Sequence, residues 1–409
     1  MTIRAPKGTL DVLPPESGRW RRLLRAFDGL AARYGYGLAL TPLFEATELF
    51  ARGVGEETDI VEKQMYSFTD KGDRSLTLRP EATASVVRAY LQAGRTGVLK
   101  CAYSGPMFRY EQPQAGRRRQ FYQVGVEYLG EPSADADVEV IEVGYRLLEE
   151  AGIGGVTVLL NSLGDPADRA EYRRILTSFL EARAHRLSPD SQRRLVTNPL
   201  RVLDSRADAA VVADAPATLD HLGTGAAAHF AVVRAGLTQR SIPYEIAPRL
   251  VRGLDYYDRT VFEYQARSYT AAQDALGGGG RYDPLAELLG GPPTPGVGLA
   301  MGVDRIVAAM PEESGEEDLD VFVVVADPGR RGDALNLVAA LRAAGLRADL
   351  DLGSRSVRGQ FKAADRRASR VAVVVGEEWD GGRVTVRAMT GGDEESIPIA
   401  EVEAWVRAR

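Results

Sequence analysis

Leu250-Val-Arg-Gly-Leu-Asp-Tyr-Tyr-Asp-Arg-Thr-Val-Phe-Glu263 decides how this chain is read. Val261 and Phe262 lead an apolar run out of the stretch, so it reads as a loop feeding a strand. Into that loop the sequence puts Arg252, Asp255, Tyr256 and Tyr257. Charged and phenolic groups are rarely buried without partners. A guanidinium beside two phenols suits a pocket that grips an anion and reads a polar ring. A strict strand would send the two tyrosines to opposite faces, and Gly253 gives the backbone the freedom to bring both inward. For a lone Arg, a strand end paired with a core carboxylate is the plainer account; the whole string asks for more.

Upstream, Met107–Glu111 and Arg119–Leu129 read as strands flanking a polar loop. Alternate residues of a strand share a face. Arg109 and Glu111 then share one, as do Phe121, Gln123, Gly125 and Glu127, while Tyr122, Val124, Val126 and Tyr128 form an apolar opposite face. Gly125 removes bulk between Gln123 and Glu127 and leaves room for a small ligand. A sheet with one wet face would have the same pattern. The loop Gln112-Pro-Gln-Ala-Gly-Arg-Arg-Arg119 tilts the reading, because clustered Arg at a loop tip, Arg117 among them, suits phosphates.

Around these strands, Arg19–Tyr34 carries an amphipathic helical pattern, and Tyr66–Phe68 and Ser75–Leu78 read as strands before a helix from Pro80 to about Leu91. Ala134–Ala151 is helical and Val156–Leu160 is a buried strand. From about residue 165 to 239 strand patterns vanish, which predicts a helical insertion. Gly277-Gly-Gly-Gly280 reads as a backbone-only turn, and Gly296–Met301 as a small-residue strand entering the helix Val303–Met310. Pro311-Glu-Glu-Ser-Gly-Glu-Glu317 is an acidic linker. Beyond it, strands at Asp320–Ala326, near Leu350 and at Val371–Val375 alternate with helices, predicting a small α/β domain with a largely parallel sheet. Arg355, Arg358, Lys362 and Arg366 recur there at helical spacing, with Phe361, Ala364 and Ala368 toward the core.

Composition narrows the function classes. The 409 residues carry a formal net charge of −6, which argues against a protein coated in positive charge for non-specific nucleic-acid binding. Cys101 is the only cysteine, and His185, His221 and His229 lack paired-ligand spacing. Neither an internal disulfide nor a protein metal cage is expected. No apolar run is long enough for a membrane span and the first residues lack an apolar signal core, so a cytoplasmic protein is expected.

Taken together, these motifs resemble those of the histidyl-tRNA synthetases, a class II aminoacyl-tRNA synthetase family, over nearly the whole chain. The 250–263 stretch resembles the family signature. The paired strands resemble class II motif 2, Gly296–Arg305 resembles motif 3, and Arg79-Pro-Glu-Ala-Thr83 and Gly277–Asp283 resemble further family elements. The resemblance implies an α+β fold: an antiparallel-sheet catalytic domain over residues 1–316, with the helical insertion at about 165–239, and an α/β anticodon-binding domain over 317–409. It implies histidine–tRNA ligation through histidyl-adenylate, with ATP as substrate, Mg²⁺ as cofactor, L-histidine and histidine tRNA as partners, and a homodimer joined near Pro42 in motif 1.

Residue by residue, the resemblance gives Arg109 and Arg252 the catalytic charge neutralisation. It gives Glu81, Ala82, Thr83, Arg109, Gln123, Glu127, Arg252, Tyr256 and Tyr257 to histidine. Arg109, Glu111, Arg117, Phe121 and Arg305 go to ATP: Glu111 reads the adenine amino group, Phe121 stacks on the base and Arg305 meets the γ-phosphate. The basic stripe at Arg355, Arg358, Lys362 and Arg366 goes to the anticodon arm. Gln112 and Arg118 depart from the family pattern in the motif 2 loop. A paralogue that regulates ATP phosphoribosyltransferase is the rival reading, argued against by the intact arginines and the domain after Asp320. Synthetases for glycine, proline or threonine are argued against by the Arg252–Tyr257 string.

Overall fold

The computed structural model describes residues 3–55, 58, 60–111, 117–267, 269, 275–311, 319–353, 355–392 and 394–409. It divides into two compact units, residues 1–11 with 22–311 and residues 12–21 with 312–409.

The first unit is built on an eight-stranded sheet. Its order is Gly37–Leu38, Leu99–Phe108, Gln120–Leu129, Gly296–Gly302, Ala275–Arg281, Asp258–Ala266, Val156–Ser162 and Tyr244–Ile246. The outermost pair at each edge is parallel and all pairs between them are antiparallel. A three-stranded antiparallel sheet of Phe44–Ala46, Ser75–Leu78 and Tyr66–Thr69 accompanies it. The helix Ala134–Glu150 starts where Ser133 accepts the Asp135 amide at 3.2 Å. It buries Val138, Ile141 and Leu148, and has no side chain at Gly144, where a Cβ would stand 2.3 Å from the Tyr264 hydroxyl.

Residues 166–239 are helical without a strand, from Pro166–Glu181 through Pro189–Thr197 and Pro199–Val202 to Thr224–Gln239. Tyr172, Leu176 and Leu180 of the first of these pack into the same apolar cluster as Val251, Tyr256 and Tyr257. The helical segment therefore backs the signature loop.

Two readings of the sequence are corrected here. Gly277–Gly280 is not a turn but the middle of the strand Ala275–Arg281, paired on both sides. Glycine is needed there because neighbouring backbones leave no room: a Cβ on Gly279 would lie 1.9 Å from the Gly298 carbonyl oxygen. The helix expected from Pro80 begins at Thr83, three residues later, because Ala82 is its N-cap and the preceding Glu81 turns its carboxylate onto the Thr83 and Ala84 amides. Sequence reading also missed the helix Thr47–Val54.

The second unit has a five-stranded sheet, in the order Ala348–Leu350, Val321–Val325, Val371–Val375, Arg383–Ala388 and Glu394–Pro398. The first three strands are parallel, and the last two add an antiparallel hairpin that the reading of a largely parallel sheet lacked. Both faces are covered: Val321 and Val323 join one apolar cluster, Phe322 and Val324 the other. The acidic linker lies mostly outside the described residues.

Candidate active site

The central strands of the larger sheet position the site. Gln120–Leu129 presents Phe121, Gln123 and Glu127 on one face, while Val124 and Val126 on the other are wholly buried. The expected parity holds for this strand. It fails for Arg109 and Glu111, which lie beyond the end of the strand at Phe108; there the Glu111 amide donates to the Arg109 carbonyl at 2.7 Å. The space expected above Gly125 is also taken. Tyr103 faces it across the strands, and a Cβ on Gly125 would stand 2.4 Å from the Tyr103 hydroxyl. Gln112 lies outside the described residues.

Residues 250–257 belong to neither strand nor helix, and Asp258 opens the strand that follows. This turn brings Tyr256 and Tyr257 to one place, with ring centroids 4.7 Å apart; Tyr282 meets Tyr256 edge-on at 5.7 Å. Arg252 donates from Nη1 to Glu263 at 2.8 Å, and among the described residues its buried Nε has no hydrogen-bond partner. Burial opposes the Arg252 charge, but Glu263 and the Tyr257 phenol outweigh it and hold the group above its ordinary value. Gly278 makes room for this guanidinium, since a Cβ there would lie 2.9 Å from Arg252 Nη1.

Arg109 stands among Glu111, Glu81, Tyr256 and Arg252. Its Nε donates to the Pro80 carbonyl at 2.9 Å and its guanidinium lies 5.3 Å from the Phe121 ring centroid. Burial pulls its pKa down, and the Arg252 charge adds to that. Arg305, in the first turn of the helix Val303–Ala309, is likewise pulled down by burial, with Arg109 and Arg117 as like charges beside it. It donates to the Ala275 carbonyl at 3.0 Å, while Asp304 accepts from the Tyr122 amide and pairs with Arg118 at 3.2 Å. Arg117 pairs with Glu111 at 3.3 Å. Arg109 thus feels the like charge of Arg252, and Arg305 that of Arg109 and Arg117. Such an arrangement stores electrostatic free energy that a polyanion would release.

The acidic and hydroxyl groups interlock. Glu81 accepts the Thr83 and Ala84 amides at 2.6 and 2.9 Å, capping the helix Thr83–Gln92. Its other neighbours include Arg109. Thr83 donates from its hydroxyl to Glu127 Oε1 at 2.7 Å, and Tyr282 donates to Glu127 Oε2. Ala82 is buried beside them. Glu127 itself has no exposed surface. Burial raises its carboxyl to about 8, against the lowering effect of the two hydroxyl donors. Gln123 keeps a buried Oε1 without a hydrogen-bond partner among the described residues. Buried polar atoms left unpaired mark places where a ligand completes the bonding.

Sequence reasoning missed Tyr103, Tyr282 and Glu263. Tyr282 lies inside the Gly-Gly-Gly-Arg-Tyr-Asp element and was the one available signal. Tyr103 depends on the register that sets it opposite Gly125, which no local pattern encodes.

In the second unit, Arg358, Lys362 and Arg366 lie exposed on the helix Val357–Arg366, and Arg355 is exposed just before its cap Ser356. Ala364 is buried as expected and Phe361 is half-buried. Ala368 is exposed, beyond the helix end and at φ 44°; Gln360 is buried instead, bonded to both the amide and the carbonyl of Val325.

Residues 8–306 match the family model described as histidyl-tRNA synthetase. The chain belongs to the histidyl-tRNA synthetase family. Residues 320–409 match the anticodon binding domain. The chain is similar over its whole length to the histidine–tRNA ligases of Geobacillus kaustophilus, at 44% identity, and Desulforudis audaxviator, at 46%, covering 99% of each. The crystal structure of apo S. aureus histidyl-tRNA synthetase superimposes with a TM-score of 0.80 at 36% identity, covering 99% of this chain and 100% of that one. The fold is therefore a class II catalytic domain with an α/β anticodon-binding domain, and the activity is histidine–tRNA ligation. A C-terminal anticodon-binding domain favours this activity over the regulatory one.

Proposed function

We propose that the cluster of Arg109, Arg252, Tyr256, Tyr257 and Glu127 activates histidine with ATP, and that the burial of Arg109 and Arg305 beside the like charges of Arg252 and Arg117 carries this reading. The histidine carboxylate attacks the α-phosphorus, the bond to the β-phosphate oxygen breaks, and pyrophosphate leaves. Arg109 and Arg252 neutralise the charge that grows on the α-phosphate oxygens. Arg117 and Arg305 hold the outer phosphates, Phe121 stacks on adenine and Glu111 accepts from its amino group. Mg²⁺ arrives with the nucleotide as part of the substrate; among the described residues no group of three His, Cys, Asp or Glu side chains is placed to cage a metal.

Glu81 and Thr83 take the histidine ammonium beside Ala82. Gln123, Glu127, Tyr256 and Tyr257 read the imidazole. Glu127 reaches it once Thr83 or Tyr282 yields a carboxylate oxygen. The tRNA terminal ribose hydroxyl then attacks the acyl carbon and AMP leaves. Arg355, Arg358, Lys362 and Arg366 bind the phosphates of the anticodon arm. The boundary between the catalytic and anticodon-binding domains falls in the sequence near residue 316, and a homodimer buries the exposed Leu38, Leu40, Leu43 and Phe44 around Pro42. A monomer in sedimentation at micromolar concentration would remove the dimer from this account. The protein acts in the cytoplasm; among the described residues no helix is long and apolar enough to cross a membrane.

Amino-acid-dependent ATP–pyrophosphate exchange over a panel of amino acids tests the reading. Exchange with histidine alone is expected. Exchange with none would favour the regulatory paralogue, and exchange with glycine, proline or threonine a sister synthetase.

A further inference from the structure

Because residues 250–257 join no ladder, their carbonyl groups need partners from elsewhere. Side chains supply them at Leu250, Arg252, Asp255 and Tyr257. Asn161 donates to the Leu250 carbonyl at 2.9 Å and Arg201 to the Arg252 carbonyl at 3.1 Å. Arg169 Nη1 donates to two carbonyls, Asp255 at 2.8 Å and Tyr257 at 2.9 Å. Asn198 holds the Asp255 carboxylate at 2.9 Å. Arg169 comes from the helix Pro166–Glu181, Arg201 from the helical turn Pro199–Val202, and Asn198 caps that turn. The helical segment thus grips the loop at three points.

Arg169 holds the decisive place. The two carbonyls it takes bracket the Tyr256–Tyr257 pair, so one nitrogen fixes the peptide plane before Tyr256 and the one after Tyr257. Those planes set the directions in which the Tyr256 and Tyr257 rings leave the backbone. Arg169 is itself half-buried: burial pulls its pKa down and Asp255 and Asp258 only partly offset this. A guanidinium kept in such a place spends its charge on main-chain dipoles rather than on packing.

We propose that Arg169 is a positioning residue for histidine recognition, tying the Asp255 and Tyr257 carbonyls to the helical segment so that this segment, and not the sheet alone, sets the affinity for the amino acid. This rests on the reading that Tyr256 and Tyr257 line the histidine pocket. The nucleotide side of the site does not depend on the clamp, because Arg109, Phe121 and Arg305 are held by other elements.

The test uses the full chain with Arg169→Ala, Arg169→Lys and, as a separate arm, Arg252→Ala. KM for histidine and KM for ATP are measured independently in pyrophosphate exchange. Loss of two bonds from a charged donor should raise the histidine KM of Arg169→Ala about tenfold or more and move the ATP KM less than about twofold. Added methylguanidine should recover part of the loss, and Arg169→Lys should fall between. An unchanged histidine KM would overturn the proposal. So would both KM values rising together without recovery, the mark of a merely structural side chain. Should Arg169→Ala fail to fold, Arg169→Lys decides: a histidine KM equal to that of the parent protein overturns the clamp, and a selectively raised one supports it. Full activity in Arg252→Ala would instead sink the pocket reading itself, whatever the Arg169 variants do.

Discussion

Two sets of cations divide this molecule. On the larger sheet, Arg109, Arg252 and Arg305 are half-buried, with Arg109 beside the charges of both Arg252 and Arg305. On the helix Val357–Arg366, Arg358, Lys362 and Arg366 stand in solvent. Enclosing Arg109 and Arg305 beside like charge costs folding free energy that a bound anion would offset, while Glu263 compensates Arg252. The second costs almost nothing, and a solvated helix face would look the same. Burial is therefore what makes a charge informative about function, and the site on the sheet can be argued from physics where the basic stripe needs an assay.

The comparison breaks first at Arg252. Arg252→Ala should lower kcat/KM for pyrophosphate exchange by about 100–1000-fold, the effect of losing one preorganised charge at the reacting phosphate. Arg252→Lys should recover little, because an ammonium lacks the planar fork. Parent-like kinetics in either variant would remove the buried set from catalysis.

Glu127 sharpens the contrast through pH. Burial lifts its carboxyl from the ordinary 4.5 to about 8, so between these values the folded state holds a proton that the unfolded state releases. Its contribution to stability is therefore full below about pH 4.5 and is lost as pH rises through about 8, at a slope of up to about 1.4 kcal/mol per pH unit. Glu127→Gln should flatten that decline in urea unfolding of the ligand-free protein, and should raise the histidine KM. The same decline in both proteins would show that the carboxyl is ionised throughout.

Gly278→Ala asks whether the glycine strand serves the pocket. Its Cβ would lie 2.4 Å from the Phe262 carbonyl oxygen and 2.9 Å from Arg252 Nη1. We expect a loss of roughly 1–3 kcal/mol in stability together with weaker exchange activity. Gly154→Ala, whose Cβ meets nothing within 4 Å, is the control and should be neutral in both.

The smallest effect belongs to the exposed set. Arg358→Ala and Lys362→Ala should leave pyrophosphate exchange intact and weaken tRNA binding, each lowering the slope of log affinity against log salt by roughly one at most. Unchanged aminoacylation and salt dependence would return the stripe to a solvated face.

Much of this was legible in the chain itself. Val261 and Phe262 announced the strand after the signature loop, and the alternation from Gln120 to Leu129 assigned both its faces. What stayed hidden depends on contacts between distant segments. Tyr103 covers Gly125 only because two strands pair in one register. Strand alternation put Glu127 on the face of Gln123, yet its bonds to Thr83 and Tyr282 come from other elements. Four consecutive glycines carry no side-chain pattern, so a fully paired strand and a bare turn look alike in sequence. The clamp of Arg169 on the signature loop spans 86 and 88 positions and leaves no local trace.

A crystal structure with L-histidine and a non-hydrolysable ATP analogue reaches the central claim most directly. The account predicts Arg252 turned from Glu263 onto the substrate carboxylate or α-phosphate, Arg109 on the same phosphate, and a Glu127 oxygen on the imidazole nitrogen. Arg252 still on Glu263 with both small molecules bound, or Glu127 still closed off by Thr83 and Tyr282, would contradict it.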